Sequence, residues 1–172
     1  MRKLIVALVT AFLCVPALAV AGSTPSPADS AAAQKQCRAE LTAMTAAPFK
    51  LLYGTNADKS NAFGKCVSRR ASQNAKNRAD AAAQCSSARD ADAAAFAAKY
   101  GIGPNHKNAF VRCVSLTAKA IAAAQVSATI NASKQCAAEL KADAAAFKAK
   151  YGANTKSKAF GKCVSAKVKH SS

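Results

Sequence analysis

The sequence predicts an all-α protein made of three tandem helical repeats, each stapled by a disulfide bond. Two observations predict this fold. One block occurs three times, as NAFGKCVS at 61–68, NAFVRCVS at 108–115 and KAFGKCVS at 158–165. A second block precedes it each time, as TAAPFKLLYG, DAAAFAAKYG and DAAAFKAKYG. Because both blocks recur in the same order and the connectors between copies show no strand-like alternation, we predict a repeat of long helix, short helix ending in Tyr-Gly, loop and next helix.

The first 21 residues are typical of a secretory signal peptide. Two basic residues precede an apolar run that begins at Leu4, and an A-x-A motif ends at Ala21. A membrane anchor is the alternative, but Pro16 interrupts the run, which is shorter than the roughly 20 residues of a spanning helix. We therefore expect cleavage after Ala21, loss of Cys14 with this segment, and a secreted or periplasmic location.

Six cysteines remain after cleavage, and an exported chain favours disulfide bonds. Metal binding is the alternative, but the sequence has no CxxC pair. Six cysteines allow 15 pairings, and the repeat favours pairing within each copy over pairing between successive copies. The expected pairs are Cys37 with Cys66, Cys85 with Cys113, and Cys136 with Cys163.

The second block predicts a short helix with a marked beginning and end. A side chain able to cap the amino terminus opens each copy, and these residues are Thr45, Asp92 and Asp143. A glycine suited to a left-handed carboxyl-terminal cap closes each copy, and these residues are Gly54, Gly101 and Gly152. A Phe and a Tyr four residues apart share one face, so we expect that face to pack on the following helix.

A polar loop follows each glycine, and the next helix begins within the first block. Candidate caps for that helix are Asn56, Asn105 and Asn154. The spacing i, i+3, i+4 places an aromatic ring, a thiol and a Val on one buried stripe, as in Phe63, Cys66 and Val67. The basic residue before the cysteine is expected to point outward.

Alanine-rich connectors link the copies. In the second connector the apolar positions continue from Phe110, which predicts one long helix to about Leu140. In the first connector the segment SQNAKN at 72–77 has no large apolar residue, so we expect the helix to bend or fray there. The predicted division is a signal peptide at 1–21, a flexible leader at 22–30, repeats at 31–80, 81–131 and 132–168, and a loose tail at 169–172.

The two blocks resemble a unit of uncharacterised secreted bacterial proteins, whose markers are an AAFxxxYG block followed by NAFGKCVS. The resemblance covers nearly all of the chain after the signal peptide. This chain departs from the family pattern at PFKLLYG in the first copy and at KAF in the third. The resemblance implies export and repetition, and it implies no activity.

The chain offers few residues for catalysis. It has 8 Asp and Glu and 2 His, namely His106 in the second loop and His170 in the tail. No pair of titratable residues recurs at equivalent positions, and phosphate loops, zinc spacings and calcium loops are absent from the sequence. We therefore predict no enzyme activity, no metal site and no cofactor.

Charge is the strongest functional signal. The chain carries 25 Lys and Arg against 8 acids, and about +15 remains once the signal peptide is removed. Such an excess attracts polyanions. Basic residues recur beside the starts of three helices, where amide groups also favour anions, namely Lys59, Lys65, Lys107, Arg112, Lys156, Lys158 and Lys162. Ordinary solvated lysines of an alanine-rich helix are the alternative interpretation.

These observations favour a binding or structural module for acidic polymers or for an anionic envelope surface. A protein-binding module, such as an inhibitor, is the first alternative. A membrane-active cationic protein is the second, and it would require helices with broad, bulky apolar faces. The faces in this sequence are mostly alanine.

Overall fold

The computed structural model describes residues 24–152 and 156–169. Within these ranges the chain forms seven α-helices and no β-strand, so the all-α prediction is confirmed. The predicted signal peptide and residues 170–172 of the predicted tail lie outside the described residues. The helices are α1 (Pro27–Met44), α2 (Ala46–Tyr53), α3 (Ala62–Ala91), α4 (Ala93–Tyr100), α5 (Ala109–Ala142), α6 (Ala144–Tyr151) and α7 (Lys156–Lys169).

The long helices α1, α3 and α5 lie side by side, and neighbours in the chain run in opposite directions. Along α1 and α3, Asp29 pairs with Arg78 while Cys37 pairs with Cys66, so the partner number falls as the first number rises. Helix α7 packs back along α5, and the short helices α2, α4 and α6 close the turns between the long ones. Each turn therefore lies at the opposite end of the bundle from the next.

All three disulfide bonds join cysteines of the same repeat, which confirms the predicted pairing. The bonds link Cys37 to Cys66, Cys85 to Cys113, and Cys136 to Cys163, and they close loops of 29, 28 and 27 residues. Each bond lies in a small apolar core with a buried Phe of the short helix, respectively Phe49, Phe96 and Phe147. In the chain-entropy account, a loop of this length stabilises the fold by about 3–4 kcal/mol, which matters because alanine supplies much of the remaining core.

Helix α3 is continuous through 72–77, so the expected bend or frayed segment was wrong. The side chains of Asn74 and Asn77 point toward neighbouring helices and do not interrupt α3. Asn74 exchanges amide hydrogen bonds with Gln36 of α1, both at 3.2 Å. Asn77 does the same with Gln125 of α5, at 2.9 and 3.0 Å. Both asparagines are buried, and a satisfied amide pair can replace an apolar contact at little cost.

Two of the three predicted amino-terminal caps of the short helices are confirmed. Asp92 accepts a hydrogen bond from the amide of Ala95, and Asp143 accepts from the amides of residues 145 and 146, each at 2.9 Å. Thr45 makes no such bond, so that prediction was wrong. A capping side chain reaches the first turn from an extended backbone, and Thr45 instead has a φ of 67°.

The left-handed conformation predicted for the closing glycines is found at Gly152, with a φ of 48°. It was wrong for Gly54 and Gly101, which are extended. Their requirement is space, because a Cβ on Gly54 would lie 2.6 Å from Cβ of Lys59, and one on Gly101 would lie 2.5 Å from Cβ of His106. The loop folds back onto the glycine in both repeats.

The asparagines predicted to cap α3 and α5 do not cap them. Asn56 donates to Ser60 Oγ inside the loop, at 2.9 Å, and no side chain caps either helix. Asn61 and Asn108 directly precede the two helices. Their side-chain oxygens accept hydrogen bonds from the backbone amides of Thr55 and Ile102, the first loop residues, at 3.0 and 3.1 Å. Asn154 lies outside the described residues.

The predicted leader at 22–30 extends too far. Helix α1 begins at Pro27, because Ser26 and Asp29 form a reciprocal capping box and Asp29 pairs with Arg78 of α3 at 2.5 Å. Helix α7 likewise continues to Lys169, the first residue of the predicted tail.

Candidate anion-binding site

The structure divides the seven predicted anion-binding residues between two ends of the bundle. Cys66 and Cys85 lie near opposite ends of α3, and their separation of 19 residues spans about 28 Å at 1.5 Å per residue. The loops of repeats 1 and 3 therefore share one end, and the loop of repeat 2 lies at the other. Lys59, Lys65, Lys156, Lys158 and Lys162 belong to the first end, and Lys107 and Arg112 belong to the second.

Repeats 1 and 3 are in direct contact at their shared end. Helix α2 packs against α7, and its side chains Leu51 and Leu52 lie against the apolar core of repeat 3. Helix α4 of repeat 2 contacts α3 and α5 alone among the described helices. The contact between α2 and α7 therefore brings basic residues that are about 100 positions apart in the chain to the same end of the bundle.

A cleft of about 580 Å³ lies between α3 and α7 at this end. Three cationic side chains line it, Arg69 from repeat 1 and Lys162 and Lys169 from repeat 3. The remaining described residues of the lining are small, and none of them is acidic. All three cations are exposed. The cleft thus presents one guanidinium and two ammonium groups around an open space, an arrangement suited to sulfate, phosphate or carboxylate groups.

Among the predicted residues whose side chains the structure describes, Lys162 alone lines this cleft. Its Nζ donates to the carbonyl oxygen of Gly152 at 2.6 Å, which ties α7 to the end of α6. Lys65 and Lys158 are exposed outside the cleft, and Lys59 is half-buried. The side chain of Lys156 lies outside the described part of the structure.

Sequence reasoning missed Arg69 and Lys169. Arg69 follows Cys66 by three residues, but the equivalent positions of the other copies are Leu116 and Ala166, so no repeat pattern marks it. Lys169 was placed in the predicted loose tail. Only the packing of α7 against repeat 1 brings these two residues together.

A buried polar cluster lies beside the cleft. Glu40 is fully buried and contacts the guanidinium of Arg70, while the hydroxyl of Tyr53 donates to its carboxylate. Arg70 also donates to Thr129 Oγ1 of α5, at 2.9 Å. Burial raises the pKa of Glu40, against the opposing charge of Arg70, and burial also raises the pKa of Tyr53.

A more exposed version of this cluster occupies the same positions in repeat 3. Glu139 is three residues after the first cysteine, as Glu40 is, and its carboxylate accepts from Lys167 Nζ at 2.7 Å and from the hydroxyl of Tyr151 at 2.9 Å. The bond from Lys167 lowers the pKa of Glu139 to about 2, with further help from Tyr151. Repeat 2 has Ala88 at the glutamate position. Each carboxylate is held by side chains of its own repeat, and Arg70 also ties repeat 1 to α5, so we interpret both clusters as structural.

Neither histidine joins a cluster of titratable groups in the described structure. His106 packs on Gly101 in its loop, and His170 lies outside the described residues. Within the described ranges, no three His, Cys, Asp or Glu side chains are placed to hold a metal ion.

Helix α5 has an unusually apolar exposed surface. It is long and apolar enough to cross a membrane by length and composition, and 11% of its most apolar window is buried. The large apolar side chains that are exposed in the described structure are Ile102, Val111 and Leu116. All three belong to repeat 2, at the end opposite the cationic cleft.

No family model matches this sequence, and neither a curated protein nor a solved structure shows a significant match to it.

Proposed function

We propose that this protein is an exported, disulfide-stabilised module that binds anionic polymers through the cationic cleft between α3 and α7. The observation that carries this proposal is the convergence of Arg69, Lys162 and Lys169 around one cleft with no acidic lining residue. Two repeats contribute these cations. Their meeting therefore depends on the fold of the whole chain.

The distribution of charge among the repeats supports this choice of end. Residues 31–80 contain nine Lys and Arg against three acids, and residues 132–168 contain eight against two. Residues 81–131 contain five against two. The two most basic repeats are those that meet at the cleft, which favours this end of the bundle for attracting a polyanion.

An exported location fits the disulfide bonds. Three intramolecular bonds indicate an oxidising environment outside the cytoplasm. Anionic polymers are common in that environment, as acidic envelope polymers, acidic glycans or released nucleic acid. Exposed lysines select for charge density over sugar or base identity, so we expect broad specificity within this class.

The test compares two variants that lose the same charges from opposite ends. The cleft variant carries Arg69→Gln, Lys162→Gln and Lys169→Gln. The control variant carries Lys99→Gln, Lys107→Gln and Arg112→Gln, all exposed residues of repeat 2. Each removes two Lys and one Arg, so total charge and composition stay matched.

Binding to dextran sulfate is measured as a function of salt, with neutral dextran as the blank. Polyanion binding releases counterions, so the affinity of the wild-type protein should fall steeply as salt rises. By analogy with nucleic acids, losing three contacts should make the slope of log affinity against log salt shallower by about two. The control variant should keep the wild-type slope. Equal effects of both variants would show that total charge alone matters.

A protein-binding module remains the competing function. If the wild-type protein binds no polyanion at about 0.15 M salt but retains one protein partner under the same conditions, the polymer proposal is wrong. The protein-binding alternative would then replace it.

A further inference from the structure

A second concave surface lies on the other side of the bundle. It is a groove of about 860 Å³ between α1 and α5, with α3 as its floor. The groove is independent of the cationic cleft, because Arg69, Lys162 and Lys169 do not line it. Its volume falls within the range of roughly 300–1,000 Å³ that is typical of small-molecule sites.

The groove is open because its walls are built from small residues. Helices α1 and α5 both run antiparallel to α3, and alanines line the sides that α1 and α5 turn toward each other. Larger apolar side chains line both ends, Val126 and Ile130 at one and Phe110, Val111 and Val114 at the other. Val111 is 71% exposed. Small-molecule sites are typically concave and lined mainly by apolar side chains, as this groove is.

The charges of the groove are almost all positive. Its ionisable lining residues are Asp29, Lys35, Arg78 and Lys119. The charge of Asp29 already has partners, because Asp29 belongs to the capping box of α1 and pairs with Arg78 at 2.5 Å. Lys35 on α1 and Lys119 on α5 are exposed at the two rims. A ligand that fits this surface has an apolar body and a negatively charged group.

We propose that the groove binds a monomeric anionic amphiphile, namely a fatty acid with a single aliphatic chain. At roughly 30 Å³ for each water-sized group, the groove holds about 28 such groups, enough for a long-chain fatty acid. The alanine walls contact the chain, and Lys35 or Lys119 pairs with the carboxylate. A second copy of this protein fits less well, because a two-fold contact would bring the same lysines toward each other.

The first experiment titrates the wild-type protein with saturated fatty acids of increasing length, below their micelle concentrations. Displacement of a fluorescent fatty acid gives the affinity. Each pair of added methylenes should tighten binding roughly tenfold until the groove is filled. Dodecyltrimethylammonium, whose alkyl chain is one carbon longer than that of laurate and whose head group is cationic, should bind at least about tenfold more weakly than laurate.

The second experiment fills the groove from one wall. Ala123→Phe places a large ring in the groove, because Ala123 lines it, whereas Ala124→Phe places the same ring on the neighbouring exposed position of α5. Both sites are exposed, so both variants should keep wild-type helical content by circular dichroism. We expect laurate binding to weaken at least about tenfold in Ala123→Phe and to stay unchanged in Ala124→Phe.

A paired substitution tests the head group. Lys35→Gln with Lys119→Gln should abolish the preference for laurate over the trimethylammonium compound, while Lys134→Gln with Lys141→Gln should preserve it. The proposal is overturned if affinity does not depend on chain length, or if the two phenylalanine variants bind laurate equally. It is also overturned if the protein ignores monomeric laurate but binds phosphatidylglycerol vesicles or an acidic amphipathic peptide. The cleft variant should bind laurate normally, so failure of either proposal is visible separately.

Discussion

Replacing Arg70 by Met tests whether the buried polar cluster of repeat 1 is a structural necessity. In the native protein, Glu40 is fully buried and Arg70 is 5% exposed, so water cannot take over the role of either partner. Arg70→Met keeps most of the side-chain volume but removes the charge that opposes the effect of burial on Glu40. The pKa of Glu40 should therefore rise further, so that the carboxyl is protonated up to a higher pH than in the native protein.

The expected loss follows from that proton. Neutralising a carboxyl whose unfolded pKa is 4.5 costs at most about 3 kcal/mol at pH 7, and the native protein already bears part of this cost because burial raises the pKa of its Glu40 as well. This agrees with the roughly 3–5 kcal/mol measured when one partner of a buried ion pair is removed. A group whose folded pKa is raised stabilises below its unfolded pKa and loses that contribution as pH rises. The deficit of Arg70→Met should thus shrink between pH 7 and 4.5, by less than about 3 kcal/mol because the native protein shows part of the same pH dependence.

Lys167→Met is the matched control, because Lys167 is four residues after the second cysteine of its repeat, as Arg70 is. Its partner Glu139 is 33% exposed and remains solvated, so the loss should be about 0–1 kcal/mol with little change in that loss from pH 7 to 4.5. Urea unfolding of the oxidised proteins, followed by circular dichroism, gives both free energies. Equal losses, or a loss in Arg70→Met that does not depend on pH, would refute the reasoning.

Three further predictions use the same unfolding assay. Gly54→Ala should destabilise the protein, because the new Cβ would lie 2.7 Å from a backbone carbonyl oxygen, whereas Gly64→Ala meets no atom within 4 Å and should stabilise α3 by about 0.5–1 kcal/mol. Asp92→Ala should cost about 1 kcal/mol by removing a helix cap, whereas Thr45→Ala should cost less because Thr45 makes no cap bond. Glu139→Gln should reduce the acid sensitivity of the fold: a depressed pKa contributes stability above 4.5 that is lost as pH falls toward 2.

Each of these predictions has an outcome that contradicts it. The contact at the first loop would be wrong if both glycine variants changed stability in the same direction. The cap assignment would be wrong if the Asp92 and Thr45 variants lost equal stability. The role of Glu139 would be wrong if its Gln variant and the wild-type protein lost stability in parallel between pH 4.5 and 2.

The local architecture could be predicted because the repeat is carried by spacing. A Phe, Cys and Val at i, i+3 and i+4 define a helix stripe whatever the surroundings, and equal spacings between cysteines favour equal loops. The disulfide pairs, the continuous α5 and the caps at Asp92 and Asp143 all follow from such local rules. Contacts between residues that are close in sequence depend little on the rest of the fold.

The candidate site could not be predicted, because it depends on contacts between repeats. Arg69 and Lys169 are 100 positions apart, and they meet only where α7 packs on repeat 1. The continuity of α3 was missed for the same reason. Asn74 and Asn77 are unfavourable for a helix in isolation, but their amides are satisfied by Gln36 and Gln125 on neighbouring helices.

The alternation of turns explains why the three repeats are not equivalent. In an antiparallel row, the turns of the first and third repeats fall at the same end, where they can pack on each other, while the turn of the second stands alone. A Glu, a basic residue and a Tyr are kept in both repeats that meet, at Glu40 and Glu139, and the middle repeat has Ala88 in that position. The middle repeat is also the least basic and carries the exposed Val111 and Leu116. The buried or half-buried ion pairs and most basic residues thus lie in the two repeats that meet, and the exposed large apolar side chains lie in the repeat whose turn stands alone. The cationic cleft lies at the shared end, whereas the apolar groove begins near Val111 at the lone end and runs along α5 to Ile130.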